Sequence, residues 1–211
     1  MNRLRAFTLI ELLVVIVIIG VLAGLIISIV PTAQNSARKT QAKNDLTQIV
    51  TAVNAYYTEY GKYPLPANTS TDGYTVGDGT TLSTEIFNAL RGLSVPAAAL
   101  ALNPRQIVFI SPAEDNTQTN PKGKIGRDGQ FYDPWGSPYS IRIDADYNNQ
   151  VPNPYTATGG AGPDPIRQGV IAWCLGKNGR LGGGAAATTS FSKEPGNPNI
   201  YTSSGDVISW Q

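Results

Sequence analysis

Histidine is absent from this 211-residue chain, and cysteine occurs once, at Cys174. Without histidine there can be no Ser–His–Asp triad, no Cys–His dyad and no His-ligated zinc. A single thiol forms neither an intrachain disulfide nor a multi-cysteine metal cluster. Charge imbalance is missing too: sixteen Lys+Arg face fifteen Asp+Glu, for a net charge of +1. That balance argues against a broad basic surface for nucleic acid, and no nucleic-acid partner is expected. No spacing of acidic residues suggests a catalytic pair, and no glycine-rich phosphate loop is present. The chain is not expected to be an enzyme.

The sharpest absence is local. After Arg3, Arg5 and Glu11 the next charge is Arg38. Residues 12–30 are almost all Leu, Ile and Val, interrupted only by Gly20, Ala23, Gly24 and Ser28. At ~1.5 Å per residue this run makes a helix of roughly 29 Å, about one hydrocarbon core. A membrane segment is expected there. Four stretches follow from this: a basic leader at 1–6, an apolar stretch at 7–30, a polar but patterned stretch at 31–60, and a region rich in glycine and proline at 61–211.

The third stretch has helical period. Leu46, Ile49, Val53, Tyr56 or Tyr57, and Tyr60 recur every three or four residues, with Lys43, Asp45, Gln48, Asn54 and Glu59 mostly elsewhere. Gly61 stands where a C-terminal cap belongs, and Pro64 follows. One helix from about Thr8 to Tyr60 is predicted. Pro31 is expected to kink it without ending it, because the pattern resumes. In the rest, residues 106–111, 139–143, 169–174 and 207–210 read as strands, and 83–90 as a short helix. Residues 112–130 and 148–165 read as surface loops. The fold class is α+β.

At the N-terminus a small residue, Ala6, precedes the apolar run, whereas a secretory signal places its cut after that run. Glu11 sits at the edge of the apolar stretch, where a lone charge is costly and marks a functional candidate. The string Ala6-Phe7-Thr8-Leu9-Ile10-Glu11 and its apolar helix resemble the processing site of type IV pilins and type II secretion pseudopilins. Ala6 stands where that family usually has glycine, and Pro31 lies three residues later than the family's usual kink proline. The resemblance implies cleavage between Ala6 and Phe7 and N-methylation of Phe7, both by a membrane prepilin peptidase. It also implies a pilin fold: a long helix, transmembrane in its apolar half, packed on a small antiparallel sheet.

Three features of the head extend the resemblance. Tyr56-Tyr57-Thr58-Glu59-Tyr60-Gly61-Lys62-Tyr63-Pro64 is similar to the Tyr-rich end of the stem helix in major pseudopilins. Asp133-Pro134-Trp135-Gly136-Ser137-Pro138-Tyr139 matches their Asp-Pro-Trp-Gly turn. In physical terms Asp133 bonds backbone two residues on, Pro134 presets φ, and Gly136 permits a left-handed conformation. The stretch from Trp173 through Asn178, with the closing Asp206-Val207-Ile208-Ser209-Trp210, resembles the family's C-terminal loop, where two acidic positions help hold calcium. Here one of them is Asn178, preceded by Lys177, and the other is Asp206. The resemblance therefore implies a weakened calcium site at Asn178 and Asp206. A second calcium candidate opens as Asp144-x-Asp146-x-Asn148. Asn149 and Tyr155 occupy its sixth and twelfth positions, so it is no EF-hand, and a solvated turn is expected. Cys174, between Trp173 and Leu175, is expected to be a buried, inert thiol.

The implied function is mechanical: a subunit of a type II secretion pseudopilus, polymerising through its N-terminal helix to support protein export. The expected partners are copies of itself, minor pseudopilins, the prepilin peptidase, an inner-membrane assembly platform with its cytoplasmic ATPase, and the membrane. The expected location is the bacterial inner membrane, with the head outside the cytoplasm. Two alternatives stay open, a type IV pilin for adhesion, motility or DNA uptake and a membrane-anchored ligand-binding module.

Overall fold

The structure, a computed structural model, describes residues 9–66, 73–78, 81–94, 97–118, 120–155, 160–179 and 204–211, with residues 69, 181 and 201; the side chains of 25–29 are not among those described. One long helix, α1, spans Leu9–Tyr60 with Pro31 inside it. Its end is the expected one, and the expected start at Thr8 lies outside the described residues. Gly61 closes the helix at φ 66°, its N–H donating to the Tyr57 carbonyl at 2.8 Å. The chain divides into two units, Met1–Arg38 and Lys39–Gln211.

In the first unit, the large apolar side chains from Leu9 to Leu22 are 46–82% exposed. Among the described residues no helix is long and apolar enough to cross a membrane. The described side chains of this stretch stop at Gly24 and resume at Val30, so the apolar run lies partly outside them.

In the second unit, α1 buries Ala42, Leu46, Ile49, Val53 and Tyr56, a stripe at steps of three and four. The exposed Tyr57 decides which tyrosine faces inward. Asp45 shares the buried stripe, contrary to expectation, and is only 8% exposed. The head then runs β1 Tyr74–Val76, α2 Thr84–Leu90, α3 Ala97–Leu102, β2 Glu114–Asp115, β3 Ile125–Gly126, β4 Ser140–Ile143, β5 Val170–Cys174 and β6 Val207–Ile208. Strands β1, β4, β5 and β6, in that order, form an antiparallel sheet, with Ile141 opposite Ala172 and Cys174 opposite Val207. Strands β2 and β3 pair in parallel.

The alternation of side chains along the strands separates two cores. Ile141, Ile143, Val170, Ala172, Cys174 and Val207 pack with the α1 stripe. Ile171, Trp173 and Ile208 point the other way and pack with Val151, Tyr155, Ala161 and Ile166. Residues 148–165, expected as a surface loop, thus supply Val151, Tyr155 and Ala161 to the second core. Residues 112–130 also depart from a plain loop, since they contain β2, β3 and the buried Ile125.

The strand expected at 106–111 does not form. Gln106 takes φ 52°, and the N–H groups of Phe109 and Ile110 both go to the Leu90 carbonyl at the end of α2. The segment closes a helix end instead of joining a ladder.

Leu46→Ala is expected to destabilise the head by about 2–5 kcal/mol through the cavity it leaves. Ile18→Ala, in the exposed stretch, is expected to leave head unfolding unchanged. Denaturant titration of the full chain in detergent, followed by tryptophan fluorescence, measures both.

Candidate functional site

The described part of the expected assembly site is one residue. Glu11 lies exposed in the first turn of α1, where a carboxylate is favoured by the helix dipole. Ala6 and Phe7 lie outside the described residues.

The Asp133-Pro134-Trp135-Gly136 turn forms as its sequence demands. Asp133 is wholly buried. Its Oδ1 accepts the N–H groups of Trp135, Gly136 and Ser137 at 2.9, 2.8 and 2.9 Å. One side-chain oxygen thus replaces a turn's worth of backbone acceptors. Gly136 takes φ 102°, and Trp135 packs on the first core. Asp133 Oδ2 is buried without a hydrogen bond of normal geometry; the Cys174 thiol, a weak donor, faces the same carboxyl. Burial pushes the Asp133 pKa up to about 6, against the pull of the three backbone N–H groups. Burial likewise holds the Cys174 thiol well above its ordinary range, which fits an inert thiol.

Nearby, Tyr139 Oη donates to Asp45 Oδ2 at 2.8 Å, so the helix and β4 are joined by a buried polar contact. Desolvation raises the Asp45 pKa. The sequence held a signal for this bond: Asp45 sits between Ala42 and Leu46 on the buried stripe and needs a partner there.

The C-terminal closure is built around Gly176–Asn178, a 3-10 turn following β5. Gly176 has φ 60°, and a Cβ placed on it would lie 2.1 Å from the Gly205 carbonyl oxygen. Only glycine permits that approach. Asn178 and Asp206 are therefore brought to the same end of the sheet. Asp206 is buried and its Oδ2 accepts the Tyr155 hydroxyl at 2.8 Å. Burial, followed by the Asp206 charge and this bond, raises the Tyr155 pKa well above its usual range. Lys43 of α1 donates to the Ile208 carbonyl at 2.8 Å and to the Gln211 carbonyl, tying β6 to the helix. Neither Tyr155 nor Lys43 was marked by any sequence motif.

Calcium takes six to eight oxygens. No group of three or more acidic, cysteine or histidine side chains is brought together among the described residues, and one oxygen of Asp206 already serves Tyr155. Among the described residues, this end of the sheet is a hydrogen-bonded closure in which Asp206 holds Tyr155. At the rival candidate, Asp144 is buried, not solvated as expected. It accepts the Asn148 and Asn149 N–H groups at 3.3 and 2.6 Å, and Asp146 accepts the Asn148 N–H at 3.1 Å. These carboxylates hold their own turn.

Two outcomes are expected. The folded Asp133 carboxyl keeps its proton to about pH 6, whereas an unfolded one loses it near 3.8. The folded state binds more protons between those values, so this contribution is full below pH 4 and is lost as pH rises through 6. Its size is on the order of 3 kcal/mol. Asp133→Asn is expected to flatten that window in unfolding experiments from pH 4 to 8. Asp206→Asn is expected to lower the melting temperature equally in calcium and in chelator, which thermal melts in the two buffers compare.

Residues 1–27 match the family model described as the prokaryotic N-terminal methylation motif. The chain is 41% identical over 58 residues to the type II secretion system core protein G of Pseudomonas aeruginosa, which covers 28% of this chain and 41% of that protein. It is 38% identical over 64 residues to the core protein G of Klebsiella pneumoniae, covering 30% and 46%. It is also 38% identical over 66 residues to the type IV major pilin protein PilA of Myxococcus xanthus, covering 31% and 30%. The matched part spans less than half the length of each of these relatives, and no solved structure matches the chain. The resemblance to type IV pilins and type II secretion pseudopilins is thus found again in these partial matches.

Proposed function

We propose that this chain is a structural subunit of a type II secretion pseudopilus, a filament built by packing of N-terminal helices. One observation carries the reading: α1 exposes Leu, Ile and Val all round its first turns, from Leu9 to Leu22, in the segment that matches the methylation motif. A helix apolar on every side needs lipid or other helices around it. Both environments serve a subunit that waits in the inner membrane and then enters a filament core.

On this reading a prepilin peptidase cuts between Ala6 and Phe7 and methylates the new amine. The stretch 7–30 spans the inner membrane, with the head outside the cytoplasm. Glu11 then pairs with the Phe7 amine of a neighbouring subunit. Either charge buried alone would cost several kcal/mol, so the matched pair selects one axial stagger. The assembly platform, its ATPase and minor pseudopilins act on the chain from outside, and the subunit itself performs no catalysis. A type IV pilin is the second reading, favoured by the similarity to the Myxococcus xanthus protein.

Mass spectrometry of the chain co-expressed with a prepilin peptidase is expected to find a mature N-terminus at N-methylated Phe7. Glu11→Ala is expected to insert in the membrane and be cut normally, while sedimentable filaments are lost. An intact Met1 beside active peptidase contradicts the processing step, and normal filament yield from Glu11→Ala contradicts the pairing.

A further inference from the structure

Among the described residues the head exposes four large apolar or aromatic side chains, and two of them stand together. Tyr57, 39% exposed, and Tyr147, 50% exposed, have ring centroids 6.3 Å apart. Both stack on the buried Tyr63, at 4.6 Å and 26° for Tyr57 and 5.6 Å and 17° for Tyr147. The Tyr63 N–H donates to Tyr147 Oη at 3.3 Å. Tyr147 holds φ 62°, a conformation that a bulky L-residue seldom adopts. Its turn is fixed by Asp144 and Asp146, so the platform is organised before anything binds.

The chemistry of the platform selects a cation. The ring faces are negative, the exposed Asp146 carboxylate stands beside them, and Asp144 lies beneath. Lys62, next to Tyr63, is the neighbouring cation in sequence, exposed to solvent. The Asn148 amide is engaged with Asp146 and Gln150, which leaves little to bond a sugar hydroxyl. The two exposed rings are tilted 33° from each other, each close to parallel with Tyr63, and a guanidinium is the planar cation that stacks on such a ring face.

We propose that the Tyr57–Tyr63–Tyr147 platform receives an exposed arginine of a second copy of this chain, with Asp146 pairing its guanidinium. This rests on the self-assembly reading above. Charge complementarity names the occupant. Arg91 and Arg105 are paired with Glu114 and Glu59, and Arg142 stacks on Trp173. Arg38, Arg127 and Arg167 are exposed, with no ion pair among the described residues. Among the described residues no arginine of the same copy lies over the platform. Donor and acceptor are different patches of one surface, so the contact can repeat head to tail, and a head-to-tail contact whose rotation does not close builds an open filament.

The test uses the full chain co-expressed with its peptidase and assembly proteins, with filaments sheared from cells and sedimented. Tyr147→Asn, which tolerates the left-handed conformation, and Asp146→Asn are each expected to lower the sedimented fraction by about tenfold. One of Arg38→Ala, Arg127→Ala and Arg167→Ala is expected to match that loss, and combining it with Tyr147→Asn to add nothing further. Asp146→Asn and the arginine variants are expected to keep the parent melting temperature, while Tyr147→Asn also gives up its contacts with Tyr63. Parent-level filament yield from Tyr147→Asn, or from all three arginine variants, overturns the proposal while leaving self-assembly intact. A loss of yield from Asp146→Asn or the arginine variant that tracks a lower melting temperature also overturns it. If the parent, correctly cut at Phe7, forms no filament, the self-assembly reading and this proposal fall together.

Discussion

One helix has to satisfy two solvents. From Leu9 to Leu22 every described large apolar side chain of α1 is exposed, while from Ala42 to Tyr56 one stripe of the same helix is sealed into a protein core. The second half is a complete bargain for an isolated molecule: Leu46, Ile49, Val53 and Tyr56 find Ile141, Ile143 and Val170 across from them. The first half is incomplete in water, because there is no polar face to turn outward. Membrane insertion and helix-to-helix assembly follow from that asymmetry.

The head is organised around keeping the buried half of α1 in place. Polar contacts at separate points reinforce the apolar packing: Tyr139 reaches Asp45, and Lys43 reaches the Ile208 carbonyl of β6. Each joins the helix to a different strand, so slippage along the helix axis would break a buried hydrogen bond. The Asp133 turn delivers β4 with Tyr139 in register, and Gly176 lets the chain pass close enough to Gly205 for β6 to close the sheet. Asp206, which resembles a calcium ligand in sequence, serves that closure through Tyr155.

What was legible in the sequence was what depends on neighbours in the chain. The charge gap, the three-and-four spacing, Gly61 and the Asp-Pro-Trp-Gly turn are local signals, and α1, β4, β5 and the turn came out close to expectation. What was illegible depended on distant partners. Ile107, Val108, Phe109 and Ile110 have strand-like composition, yet the N–H groups of Phe109 and Ile110 go to the end of α2 and that of Ile107 to the Asn103 side chain. β1, Tyr74–Val76, sits among Thr, Gly and Asp and is a strand only because β4 pairs with it. Residues 148–165 look like a polar loop, but Val151, Tyr155 and Ala161 fill the space behind β5. Asp144 matched a calcium-loop opening because the same Asp-x-Asp spacing also serves to bond a turn to itself.

The claim that α1 exchanges lipid for sister helices is tested most directly at Ile18, 53% exposed in the single chain. A nitroxide placed there through Ile18→Cys is selective, since Cys174 is buried with a raised pKa. Power-saturation measurements with oxygen and with a water-soluble nickel complex report its surroundings. The account predicts high oxygen and low nickel access in membranes, and low access to both in sheared filaments. High nickel access in membranes, or unchanged oxygen access in filaments, would contradict it.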